Sequence, residues 1–428
     1  MLITAGRVLV GSGTYLDDGA VLVEGDSITA VGPRVEIAER TGSDVMRLAF
    51  PEGTVVPGLI DAHVHLAFDG GADPVAALHE SNDETLLTNM RHRAEQLLRS
   101  GVTTVRDLGD RNGLALRLDA EIAGGSTLGP RIVSAGTPAT PPGGHCYFLG
   151  GEVSGAAEVR GLVRRNIAAG AGVIKAMVTG GGLTKDGPKS WQSQFTPEEL
   201  HALVDEAHQA GVPVAAHAHG TEGIAAAVEA GVDTIEHCTW MTSNGFDLRQ
   251  DVLKRIIDDG IAVCPAVSPP LADAPRFFGE ERAAAMFDLV RQMAEAGVRL
   301  IAGTDAGVQR AGVRRPGARP VVLRAPGPAE QQDPRSCDRR CSRRAGTGRD
   351  DRANRSRVPG RPAGDRRRPP RRPHRVAGGP DGGDRRAAAR AARDGRTAVG
   401  ARMSGARALQ SPGQGATRSP PVLSAPSP

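Results

Sequence analysis

Histidine, lysine and acidic residues recur in or just after short apolar segments that are typical of β-strands. Residues two apart on a strand point to the same face, so two histidines spaced in this way can bind one ion. Imidazole nitrogen and carboxylate oxygen are ligands for borderline and hard divalent metals. The pattern therefore indicates a metal site built from several strand ends. The candidates are His63 and His65 on the first strand, Lys175 on the fourth, His217 and His219 on the fifth, Glu236 and His237 on the sixth, and Asp305 on the eighth.

Each of these residues also has an ordinary structural interpretation. A single histidine on a strand is more often a satisfied polar residue than a metal ligand. Lys175 alone fits an ion-paired or snorkelling lysine, and Asp305 alone fits a helix cap. The combination favours the metal site, because five of the eleven histidines fall at these strand ends. Two imidazoles on one apolar strand are also costly to bury without a partner.

The strands that carry these residues alternate with amphipathic segments from residue 57 onward. Eight such strands predict an α/β protein with a (β/α)8 TIM-like barrel, whose active-site residues gather at the carboxyl ends of the strands. A doubly wound open sheet is the alternative, although such sheets usually stop at five to seven strands. The predicted strands are 59–66, 103–109, 131–136, 173–180, 213–220, 234–238, 261–267 and 298–307, and the predicted helices include 82–100, 157–170, 197–210, 221–230, 247–259 and 280–296.

The segments outside the barrel differ from it in composition. Residues 1–56 contain three predicted strands, 2–10, 20–32 and 45–56, with no helix between them, which indicates a small β-sheet module. Residues 57–310 form the predicted barrel. Residues 311–428 contain 28 arginines and nine acidic residues, a net charge of +19, and 16 of the 31 prolines. This tail lacks Ile, Phe, Tyr and Trp and has three Leu, so we predict that it is a disordered, low-complexity basic segment.

The composition also excludes several classes of protein. No apolar run approaches the roughly 18 residues of a membrane span, and the amino terminus does not have the pattern of a secretory signal peptide. The five cysteines form no regular framework, so we expect a reducing cytoplasm. A nucleic-acid-binding arm is an alternative role for the tail, but basic runs are usually solvated, so we do not expect nucleic acid to be a partner. The partner that we expect is a small-molecule substrate. Oligomeric state is left open.

Seven segments resemble the amidohydrolase superfamily of metal-dependent hydrolases, in the branch of imidazolonepropionase and the Xaa-Pro dipeptidase-like enzymes. The resemblance covers roughly the first 310 residues and includes the specific pair PGLIDAHVHL and GTDAG. It implies a barrel with a small amino-terminal β-sheet that belongs to a composite β-sandwich. The segments are VPGLIDAHVHL (56–66), GVTTVRDLG (101–109), GGH (143–145), GVIKAMVTGGG (172–182), FTPEEL (195–200), VAAHAHGTEGIAAAVEAGVDTIEH (214–237) and GTDAG (303–307).

The resemblance assigns roles to individual residues. It implies two divalent ions, with zinc as the first candidate beside manganese, cobalt and iron. Lys175 would be carboxylated by carbon dioxide and bridge the two ions. Imidazolonepropionase is similar but uses one metal and lacks this lysine, so Lys175 favours the dipeptidase-like side. His145, His219 and Tyr147 would contact the substrate. The implied metal ligands are His63, His65, Lys175, His217, His237 and Asp305.

The implied reaction is hydrolysis of an amide or dipeptide C–N bond in a small substrate. A water shared by the two ions would be deprotonated near neutral pH, with Asp305 as the general base that later protonates the leaving nitrogen. Arg106 is a further candidate for contact with a substrate carboxylate. Hydrolysis of a cyclic, imidazolone-like amide or deamination of a ring is the alternative chemistry. A catalytically dead, truncated relative is the non-enzymatic alternative.

The resemblance stops after Val308, and the stretch expected to supply the last barrel helix and further sheet strands is missing. Arg, Pro, Gly and Ala, which dominate the tail, have codons rich in G and C. We therefore hypothesise that residues from about 311 onward are read out of frame, through a frameshift near residues 308–315. Resequencing of the coding DNA should reveal an inserted or deleted base there. An unbroken reading frame that encodes this tail would disprove the hypothesis.

Overall fold

The computed structural model of the protein describes residues 1–308 except Ser12, 267–274 and 276–278. These residues belong to the first of two units into which the chain divides, Met1–Ala353. The predicted basic tail (311–428) lies outside the described residues, as does the position of the last barrel helix, which we predict to be missing. No helix within the described part is long and apolar enough to cross a membrane.

The amino-terminal segment forms a four-stranded sheet: β1 (Leu2–Leu9), β2 (Tyr15–Glu24), β3 (Ser27–Pro33) and β4 (Arg47–Val55), in the order β3-β2-β1-β4. The single strand predicted over 20–32 is wrong, because Gly25, at a φ of +61°, turns the chain so that Glu24 pairs with Ser27. The expectation of no helix is also wrong, since α1 (Arg34–Glu39) follows β3 and buries Ile37 on the sheet.

After β4, strands and helices alternate, which confirms the prediction of an α/β protein. Each of the eight predicted strands overlaps an observed one. The elements are β5 (Leu59–Val64), α2 (Pro74–Glu80), α3 (Asp83–Arg99), β6 (Val102–Asp107), α4 (Leu114–Ala123), β7 (Arg131–Ser134), a 3-10 helix (Tyr147–Leu149), α5 (Gly155–Ala168), β8 (Ile174–Met177), α6 (Pro197–Gln209), β9 (Val214–Gly220), α7 (Thr221–Ala230), β10 (Thr234–Met241), α8 (Gln250–Asp258), β11 (Ala262–Cys264), α9 (Glu280–Glu295) and β12 (Arg299–Leu300).

Local sequence explains these elements. Helix α6 begins with a capping box, in which the Thr196 hydroxyl and the Glu199 carboxylate each accept the other residue's backbone N–H, and Pro197 occupies the first turn. Helix α3 is capped by Asn82 and buries an apolar stripe at helical spacing. Strand β8 has four buried residues, as expected of a parallel strand that is covered on both faces.

The eight strands after β4 are parallel and follow chain order, in one sheet of three strands (β5-β6-β7) and one of five (β12-β11-β10-β9-β8). Backbone hydrogen bonds join the two sheets at both edges. At one edge Ala139 N donates to Lys175 O (2.8 Å), and at the other Asp305 N donates to His63 O (2.8 Å). A doubly wound sheet reverses its strand order at a switch point, so the uniform order does not support that alternative.

The strand predicted over 298–307 is much shorter than expected, because only Arg299–Leu300 are in regular strand conformation. Beyond this short strand, the buried carboxylate of Asp61 on β5 holds the chain at Thr304. It accepts hydrogen bonds from the backbone N–H of Thr304 (3.0 Å) and from the Thr304 hydroxyl (2.6 Å). Asp305 then adopts a left-handed φ of +56°, which ends the strand geometry and turns the chain.

We expect Asp61→Ala to lower the free energy of unfolding by about 3 kcal/mol, because it removes the carboxylate that accepts hydrogen bonds from the backbone N–H groups of buried His63 and partly buried Thr304. Denaturant titration of the metal-free protein measures this change. Asp44→Ala is the control, since the exposed Asp44 side chain accepts a hydrogen bond from the neighbouring Ser43 hydroxyl, and its loss should change stability by less than about 0.5 kcal/mol. Equal effects of the two substitutions would contradict the assignment.

Candidate metal centre

Three predicted ligands converge where β5 meets the segment after β12. The Nε2 atoms of His63 and His65 are 3.3 Å apart, and the Asp305 Oδ1 atom lies 3.3 Å from the first and 3.6 Å from the second. Ligands about 2.1 Å from one tetrahedral ion lie roughly 3.4 Å from each other. The three atoms therefore have the mutual spacing of a metal-ligand set. The two imidazoles are buried, with 1 % and 7 % of their side-chain surface exposed.

Hydrogen bonds to the opposite ring nitrogens orient these two imidazoles. His63 Nδ1 lies 2.9 Å from the Oε2 atom of Glu236, and His65 Nδ1 lies 3.1 Å from the carbonyl oxygen of Gly109. Both partners are acceptors when Glu236 is ionised, so each Nδ1 carries the proton and each Nε2 keeps its lone pair. The lone pairs face the position between His63, His65 and Asp305.

A second group of imidazoles comes from β9 and β10. His217, His219 and His237 offer ring nitrogens that lie within 4.8 Å of one another. His219 stacks on His237 with ring centroids 4.4 Å apart, and its Nδ1 lies 3.0 Å from the Thr239 hydroxyl. The sequence pattern places His219 among the candidates for the metal site, while the resemblance implies a substrate contact; the structure brings it into a group that could hold an ion. His237 also belongs to a group with His63 and Asp305, so the two sets of ligands adjoin.

The backbone of β10 departs from regular strand geometry at this group. His237 has a φ of +69°, Cys238 of +50° and Trp240 of +55°, and the pairing register with β9 shifts between His237 and Met241. Left-handed conformations cost free energy in residues with a side chain, and they occur often at functional sites. Here they accompany the placement of the His237 ring beside His217 and His219.

Lys175 lies on β8 with 1 % of its surface exposed. Within the part of the chain that the structure describes, its Nζ atom has no hydrogen-bond partner. Burial lowers the pKa of its ammonium group, while the negative charges of Glu236 and Asp305 act in the opposite direction. A buried amine without a partner is costly, and a lower pKa favours the neutral amine, which is the form that reacts with carbon dioxide. The unpaired nitrogen is therefore compatible with the predicted carboxylation.

Burial also keeps the other imidazoles neutral. It lowers the pKa values of His65, His217 and His237 well below the ordinary value, and neighbouring positive groups act in the same direction. Neutral imidazole is the form that binds metals. Burial raises the pKa of Asp305, although the charges of His63 and Lys175 oppose this shift. The group thus combines neutral nitrogen donors with a carboxylate that holds a proton more readily than usual.

The two other predicted substrate contacts lie on the loop after β7. The His145 ring is 4.7 Å from the His217 ring, its Nδ1 lies 3.2 Å from the Thr184 hydroxyl, and burial lowers its pKa to about 3. Gly181 leaves room for this ring, since a Cβ atom there would lie 2.4 Å from His145 Nε2. Tyr147 is 43 % exposed and contacts Phe148, with no contact to the candidate ligands recorded among the described residues.

Arg106 does not meet the expectation of a substrate contact. Its guanidinium donates to the carbonyl oxygen of Ala62, to the Thr234 hydroxyl and to Oε1 of Glu236. All three partners lie on strands, so the positive charge of the Arg106 guanidinium is paired inside the protein. The sequence pattern placed Glu236 among the strand-end candidates for the metal site, but the resemblance assigned it no role, and its pairing with Arg106 was not predicted. The signal was a charged residue that alternates with Thr234 in an apolar strand.

Comparison with known proteins gives a family match and several similar proteins. The model of the amidohydrolase family matches residues 54–318. Ochratoxinase from Aspergillus niger is 29 % identical over 282 residues, which are 58 % of this chain and 56 % of that protein. The chain thus spans little more than half the length of that relative. Imidazolonepropionase from Pseudomonas aeruginosa is 30 % identical over 119 residues, 22 % of this chain and 29 % of that protein.

Solved structures give longer matches. The crystal structure of a Xaa-Pro dipeptidase with bound methionine is similar, with 30 % identity, coverage of 73 % of this chain and 80 % of that chain, and a TM-score of 0.62. The crystal structure of A. niger ochratoxinase matches with 25 % identity, coverage of 71 % and 75 %, and a TM-score of 0.60.

We expect Lys175→Met to leave the chelator-treated protein as stable as the wild type or more stable. The substitution keeps the volume and removes a buried charge that has no hydrogen-bond partner among the described residues. The same variant should lose most of the thermal stabilisation that zinc and bicarbonate give to the wild type, because the bridging group cannot form. Thermal unfolding with and without metal measures both effects. A loss of stability above about 2 kcal/mol in chelator would contradict this account.

Proposed function

Because the chain belongs to the amidohydrolase family, we propose that it is a metal-dependent hydrolase that cleaves a C–N bond in a small substrate. The observation that carries this proposal is the spacing of 3.3–3.6 Å among the side-chain atoms of His63, His65 and Asp305. The dipeptidase and ochratoxinase matches support an amide or dipeptide bond as the target.

The scaffold of this site, we propose, is one closed (β/α)8 TIM-like barrel made of the three-stranded and the five-stranded sheets. The hydrogen bonds at both sheet edges support closure, and so does the uniform parallel order of the strands. In such a barrel the carboxyl ends of all strands open on one face. That arrangement explains why residues from β5, β8, β9, β10 and the segment after β12 lie together.

The proposed metal centre contains two divalent ions, with zinc as the first candidate. His63, His65 and Asp305 would hold one ion and His217 and His237 the other, while carboxylated Lys175 would bridge them. The donor set fits this assignment, since burial favours the neutral imidazoles of His65, His217 and His237 by lowering their pKa values, and the Lys175 nitrogen has no hydrogen-bond partner among the described residues. When bound, such ions activate a water and polarise the substrate carbonyl. His219 is near enough to the second set to serve there as well.

The side chains of this chain would move the protons and bind the substrate. Asp305 would accept the proton of the attacking water on its carboxylate and deliver it to the leaving nitrogen. Neutral His145 and His219 are suited to donate hydrogen bonds to the substrate carbonyl. The exposed Tyr147 would contact the more distant part of the substrate.

Other features are part of the same proposal. We propose a cytoplasmic location, supported by the three buried free thiols of Cys146, Cys238 and Cys264. Hydrolysis of a cyclic, imidazolone-like amide, or deamination of a ring, is the second candidate activity, supported by the match to imidazolonepropionase over 119 residues. Lys175 favours the first candidate, because a bridging lysine belongs to the binuclear form of the site.

Metal content per chain, measured by elemental mass spectrometry on protein purified without chelator and with zinc and bicarbonate supplied, tests the proposal. We expect a value near two. The same preparation is then assayed on Xaa-Pro and Xaa-Arg dipeptides, N-acyl amino acids, and imidazolone and hydantoin rings. Faster turnover of the rings would favour the second candidate activity.

Asp305→Asn is the matched variant for this assay, since it keeps the size of the side chain and removes the proton acceptor. We expect it to lower kcat at least about a hundredfold, the usual contribution of general acid–base catalysis. Wild-type protein without bound metal and without turnover would instead identify a catalytically dead relative.

A further inference from the structure

A buried charge network lies directly behind the candidate metal centre. Glu236 is fully buried, and its two carboxylate oxygens face different partners. Oε1 accepts hydrogen bonds from Arg106 Nη2 (2.7 Å) and from the Thr234 hydroxyl (2.7 Å), whereas Oε2 lies 2.9 Å from His63 Nδ1. A continuous path therefore runs from the guanidinium through the carboxylate to the imidazole that faces Asp305.

This network is arranged to keep Glu236 ionised. The Arg106 guanidinium and the Thr234 hydroxyl both donate to Oε1, and such a charge-assisted pair stabilises the ionised form of a buried carboxylate. An ionised carboxylate can only accept a hydrogen bond, so His63 Nδ1 must donate. The Nε2 lone pair then points toward His65 and Asp305, as a ligand requires. The negative charge behind the ring also makes Nε2 a stronger electron donor.

Glu236 itself is poorly suited to bind an ion. It forms a group with His63 and Cys264 whose ligand atoms lie within 4.8 Å of one another. However, both of its oxygens are engaged by hydrogen bonds, and the Arg106 guanidinium beside it repels a cation. Glu236 thus acts on the metal centre indirectly, through its hydrogen bond with Nδ1 of the His63 ring.

We infer that Glu236, held by Arg106, is a positioning residue that sets the tautomer and donor strength of His63 and thereby the affinity of the metal ion held by His63, His65 and Asp305. This inference rests on the proposed function, because it concerns the same metal centre. Its partner on the same strand lacks the feature, since His65 Nδ1 meets only the neutral carbonyl oxygen of Gly109. A carboxylate behind one imidazole and a carbonyl behind the other make the two ligands unequal.

Glu236→Gln separates charge from shape, since the amide keeps an acceptor oxygen and the volume of the side chain. Zinc affinity is measured by chelator competition, and the visible absorption of the cobalt-substituted protein reports the ligand geometry. We expect the ion held by His63, His65 and Asp305 to bind ten- to a hundredfold less tightly than in the wild type, the usual effect of losing such a partner. We also expect a changed cobalt spectrum.

Glu121→Gln is the matched control, because it makes the same chemical change in another glutamate that pairs with an arginine. Glu121 accepts two hydrogen bonds of 2.7 Å from Arg91 between α3 and α4, and it takes no part in the metal centre. We expect zinc affinity and the cobalt spectrum of this variant to match the wild type. A loss of affinity in both variants would indicate general destabilisation and overturn the inference.

The wild-type protein provides a test that does not require the variant to fold. In metal-free protein labelled with ¹⁵N in histidine, the His63 ring should be the tautomer protonated at Nδ1, which long-range ¹H–¹⁵N spectra identify. The opposite tautomer overturns the inference. The inference is also overturned if the wild type binds two ions and the Glu236→Gln variant binds zinc with the same affinity. Wild-type protein that binds no ion overturns the proposed function itself, and the inference with it.

Discussion

The carboxylate of Asp61 holds the segment after β12 against β5, and the candidate metal centre depends on this contact. Asp61 accepts hydrogen bonds from both the backbone and the hydroxyl of Thr304, one residue before Asp305. The backbone of Asp305 in turn donates to His63 O. His65 and Asp305, which are 240 positions apart in the sequence, are brought within 3.6 Å of each other in this way. The same contact joins β5, at the edge of one sheet, to the segment that follows β12, at the edge of the other.

The interior next to this contact contains more charge than a protein core usually tolerates. Glu236, Lys175 and Arg106 have at most 12 % of their side-chain surface exposed. Burying an isolated charge costs several kcal/mol, so such groups need partners. Arg106 and Glu236 satisfy each other and extend to His63. Lys175 has no hydrogen-bond partner within the described part of the chain, and that imbalance is what a bridging carbamate between two cations would resolve.

The two faces of the amino-terminal sheet differ in how far they are covered. One face is covered by α1, which buries Ile37 against Leu2 and Ala20. On the other face several apolar side chains of the outer strands are exposed, including Ile28, Leu48 and Phe50. Within the described residues, β4 pairs only with β1. The alternation of the sequence therefore predicts strands, but strands alone do not determine what covers them.

Sequence alone predicted the alternation of strands and helices after β4 and the strand-end candidates for a metal site, because both depend on local patterns. The two-residue spacing of His63 and His65 and the apolar segments around Lys175 and His217 need no distant information. Folding decided the rest. Only the tertiary structure shows that residues 20–32 belong to a hairpin and that the last strand ends at Leu300. It also shows that Arg106, an expected substrate contact, pairs with Glu236. The physical reason is that hydrogen bonds and charge pairs between distant strands depend on which side chains meet, and that is set by sheet register and burial rather than by spacing along the chain.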